Sequence, residues 1–219
     1  MARNVKVKIC GLTDPAHAED AADLGASFVG VVFHEKSPRF VSFDRAAEIL
    51  EFVPAKVSRV GLFVDPDDFL LNQAMNQTRL NYLQLHGSES AERVEQVRFE
   101  FGMPVIKALP ISSQADIDAA KAYDGIADIL LFDAKAPAGA DRPGGNGVAF
   151  DWSLLKDTRW QSPWFLAGGL TPETVEQAIA ASGAKMVDVS SGVESAPGVK
   201  DFDKMAAFIA AAKGPVARF

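Results

Sequence analysis

A repeated alternation of two kinds of segment runs along the 219-residue chain and constrains its fold more than any other feature. Short runs rich in β-branched and aromatic residues favour strands, and each is followed by a longer amphipathic, alanine- and glutamate-rich run that favours a helix. The pattern predicts eight strands, at Val5–Cys10, Phe28–Phe33, Ser58–Val64, Tyr82–His86, Val105–Ala108, Ile129–Asp133, Trp164–Ala167 and Met186–Val189. It predicts helices at Pro15–Leu24, Phe43–Phe52, Pro66–Asn76, Ala91–Phe101, Ser113–Tyr123, Phe150–Lys156, Pro172–Ser182 and Phe202–Lys213.

The eight strand–helix units follow one another without a linker, which predicts a single α/β domain over residues 1–219. Eight parallel strands close a sheet into a (β/α)8 TIM barrel with an outer ring of helices. The alternative is an open doubly wound sheet, but no GxGxxG motif follows the first strand. We therefore expect the barrel, with its active site at the carboxyl ends of the strands.

Capping residues support several of the predicted helix starts. Asp14 and Thr171 each stand before a proline, where a side-chain cap followed by proline favours the first helical turn. Ser42 and Asp201 can cap in the same way, and Gly183 suits a left-handed helix end.

Composition and charge limit the partners and the compartment. The formal net charge is -7 and charges of both signs are interspersed, which argues against nucleic acid or an anionic membrane as the main partner. One cysteine cannot form an internal disulfide and fits a reducing cytoplasm. No apolar run approaches the ~20 residues of a membrane helix, and none at the N-terminus suits a signal peptide. We expect a cytoplasmic monomer or homodimer that binds a small molecule.

The single cysteine, Cys10, ends the first predicted strand and is the strongest candidate for chemistry. Alternation along the strand places Lys8 and Cys10 on the face opposite the apolar residues that meet the helices, so both should point into the barrel. A buried ammonium below a thiol lowers the pKa of the thiol and favours the thiolate. A lone cysteine is often an inert core residue, but the strand-end position and the neighbouring cation favour a catalytic role here.

Two carboxylates are predicted to share the barrel interior. Asp133 ends the apolar sixth strand, and a carboxyl group that is partly buried at such a place can act as an acid. Asp188, in the eighth strand, points inward by the same alternation, and we expect it to support the neighbouring loop.

Two glycine-bearing loops predict a phosphate site. The loops after strands 7 and 8 commonly hold phosphate in barrels of this kind, because glycine lets backbone N–H groups approach an anion. The candidate residues are Gly168, Gly169, Ser190, Ser191 and Gly192.

Two further strand-end residues are candidates for substrate contacts. Arg39 follows strand 2 in a loop stiffened by Pro38, where a guanidinium group can pair with a substrate carboxylate or stand free in solvent. His86 ends strand 4, where a histidine is more often hydrogen-bonded and structural than catalytic. No group of histidine, cysteine and carboxylate has metal-ligand spacing, so we predict no metal.

The segment Ala134–Val148 is long for a connection between a strand and a helix and carries four glycines. Loops of that length are typical of functional lids, so we expect a lid or a solvated surface loop here.

Six motifs together resemble the phosphoribosylanthranilate isomerase family of tryptophan biosynthesis, in order and over nearly the whole chain. The first and last of them are specific to that family among phosphate-binding barrels, whereas the Gly-Gly loop is shared more widely. The motifs are Lys8-Ile9-Cys10-Gly11-Leu12-Thr13, Ser37-Pro38-Arg39, Gln84-Leu85-His86-Gly87, Leu131-Phe132-Asp133, Gly168-Gly169-Leu170 and Asp188-Val189-Ser190-Ser191-Gly192-Val193-Glu194.

The resemblance implies an Amadori rearrangement of a phosphoribosyl substrate without any cofactor. It implies that Asp133 is the general acid that opens the ribose ring and that Cys10, as thiolate, is the base. It further implies that Arg39 holds the anthranilate carboxylate, and that the backbones of Gly169 and Ser191-Gly192 hold the phosphate.

Two other classes of protein are alternatives. One is another phosphosugar barrel enzyme, such as indole-glycerol-phosphate synthase or ribulose-phosphate epimerase. The synthase would need a catalytic lysine–glutamate arrangement, and the epimerase would need paired aspartates with metal-binding histidines. The other is a barrel that binds a phosphorylated ligand without catalysis, against which the pairing of Cys10 with Asp133 argues.

Overall fold

A computed structural model describes residues 3–135 and 150–214, and its eight-stranded barrel confirms the predicted architecture. The parallel strands pair in chain order, and the last pairs with the first to close the sheet. The barrel strands are β1 Lys6–Cys10, β2 Phe28–Val32, β3 Ser58–Phe63, β4 Tyr82–Leu85, β5 Val105–Ile111, β6 Ile129–Ala134, β7 Trp164–Leu166 and β8 Met186–Val189.

Helices follow most of these strands in the described ranges. They are α1 Pro15–Asp23, α2 Phe43–Glu51, α3 Asp68–Gln77, α4 Ala91–Phe101, α5 Gln114–Ala120, α6 Val175–Ser182 and α7 Phe202–Lys213. Short 3-10 turns lie at Lys121–Tyr123, Trp152–Leu155 and Ser191–Val193. No helix in the described part of the chain is long and apolar enough to cross a membrane.

Two apolar layers stabilise the barrel. In β1, Val7 and Ile9 are fully buried in the larger layer, which lies between the strands and the surrounding helices. A smaller layer fills the interior of the barrel with residues such as Phe28, Ile129 and Phe165. Full burial of such side chains contributes about 1.5–3 kcal/mol each. Polar residues on the inward face can therefore be confined to the carboxyl ends of the strands, above this apolar filling.

Most of the predicted caps form, but one helix start is wrong. The side chains of Asp14, Ser42 and Asp201 each accept a hydrogen bond from a backbone N–H in the first turn of α1, α2 and α7. Thr171 does not begin a helix at the following proline, because α6 starts at Val175. The intervening residues form a turn in which the Thr171 N–H donates to the Thr174 hydroxyl.

Two further segments differ from the pattern-based prediction. The predicted helix Phe150–Lys156 is only a single 3-10 turn, Trp152–Leu155. The unpredicted strands β9 Glu194–Ala196 and β10 Val199–Lys200 form an antiparallel hairpin between β8 and α7. Strands of three and two residues are too short for a period to appear in the sequence.

Residues 136–149, most of the predicted lid Ala134–Val148, lie outside the described residues.

Candidate active site

A cavity opens at the carboxyl ends of the barrel strands. Its place is the one that the barrel architecture predicts for an active site. The lining brings together residues from the ends of β1, β4, β6, β7 and β8 and from the loop after β2. Those predicted from the sequence are Cys10, Arg39, His86, Asp133, Gly168, Gly169, Asp188, Ser190, Ser191 and Gly192.

Cys10 lies at the wall of this cavity and points into the barrel, as predicted from strand alternation. The residue is 4% exposed. The neighbouring residue on β2 is Gly30, and a Cβ atom at that position would stand 3.1 Å from the Cys10 Sγ atom. Glycine on β2 therefore leaves the space that the thiol occupies.

Lys8 lies one layer below Cys10 and forms an ion pair across the seam that closes the barrel. Its Nζ atom donates to Asp188 Oδ1 at 2.8 Å, and the two residues are directly paired in the β1–β8 register. The predicted inward direction of both side chains is therefore confirmed. Lys8 does not line the cavity, so a direct contact between Lys8 and the substrate stays a prediction.

The expected net lowering of the Cys10 pKa is wrong. Burial is the largest influence and raises the pKa of the thiol above its ordinary value of 9.0. Lys8 lowers that pKa, as expected, but Asp188 raises it and the sum stays upward. Desolvation disfavours the thiolate more than the nearby ammonium favours it, because the carboxylate of Asp188 already compensates the Lys8 charge.

Asp133 and His86 meet on the wall formed by β6 and β4. The Nε2 atom of His86 lies 3.3 Å from Asp133 Oδ2, and its Nδ1 atom lies 3.0 Å from the amide nitrogen of Gln84. An amide nitrogen only donates, so Nδ1 accepts and the neutral ring carries its proton on Nε2, facing Asp133. The other oxygen of Asp133 accepts from the Ala134 N–H at 2.9 Å. His86 thus has the structural hydrogen bonds expected of it, and it also contacts a candidate acid.

The loops after β7 and β8 converge at the rim, as predicted for a phosphate site. Gly168 and Gly169 have φ angles of 84° and 65°, a backbone region that favours glycine. A Cβ atom on Gly192 would stand 1.9 Å from the carbonyl oxygen of Leu170. Glycine at position 192 therefore lets the two loops pack together, which is a reason separate from any ligand.

Comparison with known proteins decides the family. A family model described as N-(5'phosphoribosyl)anthranilate (PRA) isomerase matches residues 7–211. The chain belongs to this family. Membership confirms the resemblance found in the six sequence motifs, and it decides against the synthase, the epimerase and the non-catalytic barrel.

Individual members of the PRA isomerase family are similar over almost their whole length. The N-(5'-phosphoribosyl)anthranilate isomerase of Paramagnetospirillum magneticum is 58% identical over 210 residues, which are 96% of this chain and 98% of that protein. The crystal structure of the Thermotoga maritima isomerase has a TM-score of 0.87 at 38% identity, covering 96% of this chain and 100% of that one. Another crystal structure is of a phosphoribosyl anthranilate isomerase in complex with reduced 1-(o-carboxyphenylamino)-1-deoxyribulose 5-phosphate. It has a TM-score of 0.82 at 37% identity, covering 96% of this chain and 100% of that one.

Arg39 of this PRA isomerase reaches the cavity while paired with an unpredicted partner. Its Nε and Nη2 atoms donate to the two carboxylate oxygens of Glu194, both at 2.7 Å. The Arg39 side chain is 7% exposed, so the solvent-exposed alternative is wrong. Its Nη1 atom makes no hydrogen bond to a described residue, and it is the part of the guanidinium group that a ligand can use.

Two charged residues of the site escaped the sequence reasoning. Glu194 was part of a motif without a role, and Lys200 in the short strand β10 had no signal at all. Lys200 donates from Nζ to Glu194 Oε1 at 2.7 Å and to the Ser190 carbonyl at 3.1 Å. Lys107 lies within β5, pairs with Glu89 at 2.7 Å and does not line the cavity. The contacts of each side chain in the folded protein, and not the sequence pattern, distinguish a charged residue of the site from one outside it.

Proposed function

We propose that this PRA isomerase converts N-(5-phosphoribosyl)anthranilate to 1-(2-carboxyphenylamino)-1-deoxyribulose 5-phosphate, with Cys10 and Asp133 as its two proton-transfer groups. The reaction is an aldose–ketose isomerisation, an Amadori rearrangement, in tryptophan biosynthesis. The observation that carries the proposal is the meeting of Cys10 and Asp133 on different walls of one cavity, beside a glycine-rich rim.

The first step opens the ribose ring. The substrate is a glycosylamine, in which C1 carries both the ring oxygen and the anthranilate nitrogen. Asp133 donates a proton to the ring oxygen as the C1–O bond breaks, and the nitrogen lone pair forms a C1=N double bond. The product is an open-chain iminium ion with a free hydroxyl where the ring oxygen was, and Asp133 becomes a carboxylate. His86 faces that carboxylate at 3.3 Å and can stabilise its charge.

The second step moves a proton from C2. The iminium ion acidifies this proton because the electron pair left behind is accepted by the positively charged nitrogen. Cys10, as thiolate, takes the proton, and the resulting enolamine becomes the ketoamine when C1 gains a proton and the C2 hydroxyl loses one. C2 is oxidised and C1 is reduced within one molecule, so the reaction needs no cofactor. Each proton-transfer group contributes roughly 10²–10⁴-fold.

The remaining site residues are proposed to bind the substrate. The backbones of Gly169, Ser191 and Gly192 hold the phosphate, since N–H groups at glycine-rich loops favour an anion. Arg39 holds the anthranilate carboxylate. We propose that substrate binding is also supported by five neighbouring residues, Lys8, His86, Gly168, Asp188 and Ser190.

Conversion of the fluorescent anthranilate adduct by the purified protein tests the function. The adduct forms in solution from anthranilate and ribose 5-phosphate, and its disappearance is followed by fluorescence. We expect saturable turnover that does not change when a metal chelator is added. Tight binding of the adduct without turnover would contradict the proposal.

The pH dependence of alkylation by iodoacetamide tests the ionisation of Cys10, the single cysteine of the chain. Only the thiolate is alkylated, and below the pKa its fraction rises about tenfold per pH unit. Because burial raises the pKa of the thiol above its ordinary value of 9.0, the alkylation rate should still be rising between about pH 7 and about pH 9. The pH profile of kcat/KM does not isolate this pKa, because turnover also requires Asp133 to be protonated. An alkylation rate that no longer rises above about pH 7.5 would contradict the raised pKa.

Substitution Gly192→Ala tests the phosphate loops. The added methyl group must push the Leu170 carbonyl away, so the two loops separate and their N–H groups lose alignment. We expect KM to rise about 10- to 100-fold, with a smaller change in kcat, because the phosphate is remote from the reacting carbons. Steady-state kinetics measure both. Gly102→Ala, at the open end of α4 far from the cavity, is the control that alters stability alone. An unchanged KM for Gly192→Ala would exclude these loops as the phosphate site.

Three broader properties are also part of the proposal. We place the protein in the cytoplasm, treat residues 1–219 as one catalytic domain, and expect a monomer or a homodimer. Light scattering of the purified protein distinguishes the two states.

A further inference from the structure

We propose that the β9–β10 hairpin is the specificity element of the site. Glu194 orients Arg39 toward the substrate carboxylate, and Lys200 keeps the cluster formed by Arg39, Glu194 and Lys200 positively charged. Glu194 and Lys200 are positioning residues that need not touch the substrate. The inference rests on the proposed role of Arg39 and adds the residues that make that role possible.

The contact between Glu194 and Arg39 fixes one edge of the guanidinium group. Two parallel hydrogen bonds of 2.7 Å use Nε and Nη2, and the side chains are 5% and 7% exposed. Arg has five N–H donors in a rigid plane, so fixing this edge leaves the Nη1 and Nη2 end as a second fork. Arg39 lines the cavity, so this second fork is available to a ligand there. Its direction is set by the Glu194 carboxylate, which holds the other edge of the guanidinium group, rather than by the loop that carries Arg39.

Lys200 gives this cluster an unbalanced charge. Its side chain is fully buried, and its Nζ atom contacts the same Glu194 oxygen as Arg39 Nε. Burial alone would raise the pKa of the Glu194 carboxyl, but the hydrogen bonds and charges of Arg39 and Lys200 outweigh it and lower that pKa. Burial lowers the pKa of Lys200, while the Glu194 carboxylate favours its ammonium form. With Glu194 ionised and Lys200 in that form, two cations and one carboxylate leave one positive charge.

The neighbouring buried ion pairs do not share this excess. Lys8 with Asp188, and Lys107 with Glu89, each join one cation to one carboxylate. A buried net charge is costly unless an ion of opposite sign binds beside it. Of these buried clusters, the one with Arg39 at the cavity wall is therefore suited to receive an anion from the substrate.

Close packing holds the hairpin against the loops that flank Arg39. The Thr13 hydroxyl donates to the carbonyl of Gly198, at the hairpin turn, at 2.7 Å. A Cβ atom on Gly198 would stand 2.7 Å from the Pro38 carbonyl, and one on Gly11 would stand 2.4 Å from Arg39 Cδ. These glycines let the hairpin turn and the Arg39 side chain approach closely, so the position of the hairpin determines the position of the guanidinium group.

The test compares two substrates that differ only in the carboxylate. Anthranilate and aniline each condense with ribose 5-phosphate, and the ratio of their kcat/KM values measures recognition of the carboxylate. Loss of folding lowers both values together, whereas loss of Arg39 orientation lowers only the anthranilate value. We expect Glu194→Gln to reduce the ratio by about tenfold or more, since charge-assisted hydrogen bonds are lost. Glu176→Gln replaces an exposed carboxylate on α6 that is bonded to Arg3 and does not line the cavity, so it should leave the ratio unchanged.

The double variant Glu194→Gln/Lys200→Met separates orientation from charge. It removes one charge of each sign, so the cluster keeps the single positive charge of the native protein, and it relieves the repulsion that could prevent Glu194→Gln from folding. A reduced ratio in the double variant supports orientation by Glu194. A native ratio in either variant, or a higher one, overturns the inference.

The variant Arg39→Gln shows whether a negative result contradicts only this inference or also the proposed role of Arg39. If Arg39→Gln reduces the ratio and the Glu194 variants do not, Arg39 binds the carboxylate without needing the hairpin. If Arg39→Gln leaves the ratio unchanged, the proposed role of Arg39 is wrong, and the inference fails with it.

Discussion

Replacing Cys10 with serine is expected to lower kcat roughly 10²–10⁴-fold with little change in substrate affinity. Serine is close to cysteine in size, so the space opposite Gly30 stays filled and the cavity keeps its shape. A hydroxyl group ionises far less readily than a thiol, so it cannot accept the C2 proton at neutral pH. Steady-state kinetics give kcat, and calorimetric titration with a stable product analogue gives the affinity.

Cys10→Ala is the matched control for this substitution. It removes the proton-accepting atom altogether, so alanine and serine should be equally inactive if the thiolate is the base. Near-normal turnover in Cys10→Ser would remove Cys10 from that role. If Cys10→Ser binds the product analogue with normal affinity but shows no burst of product, the defect lies in the chemical step, as expected.

Replacing Asp133 with asparagine is the second substitution with a large expected effect. The amide still accepts the hydrogen bond from the Ala134 N–H but cannot donate an acidic proton to the ring oxygen. We expect kcat to fall roughly 10²–10⁴-fold, since ring opening loses its general acid. The amide nitrogen would also face the protonated Nε2 of His86, so the histidine tautomer or the amide orientation must change.

A substrate with its ring already open distinguishes the role of Asp133 from a general loss of structure. Asp133→Asn should recover turnover on an open-chain iminium analogue, while Cys10→Ser should not. Asp68→Asn, a half-exposed carboxylate on α3 that pairs with Arg93, is the control and should keep native activity. Equal loss on both kinds of substrate would contradict a role for Asp133 in ring opening.

The placement of Cys10, Asp133 and Asp188 could be predicted from the sequence because it depends on local rules. Alternation along a strand assigns each side chain to a face, and the barrel topology brings all strand ends to one rim. The glycines of the loops after β7 and β8 could be found for the same reason. The start of α6 could not be predicted, because Thr171 and Thr174 lie in a turn whose hydrogen bond competes with helix initiation before Val175.

The short hairpin and its charges could not be predicted in this way. Glu194 and Lys200 lie more than 150 positions along the chain from Arg39 and Cys10, and nothing in their local pattern relates them to those residues. Their contacts exist only because β8 lies beside β1 in the closed barrel.

Periodicity, strand-end position and motif order along the chain were enough to predict the fold, the family and the two candidate proton-transfer residues. The charged groups around those residues could be located only in the folded protein. Lys8 was expected to lower the pKa of Cys10, and only the buried site with Asp188 showed that desolvation outweighs it. Arg39 was expected to be either exposed or free for substrate, and only the hairpin showed one edge held by Glu194. The energy of a buried charge depends on the exclusion of solvent and on the charged groups near it in the folded protein, and the sequence pattern shows neither of these.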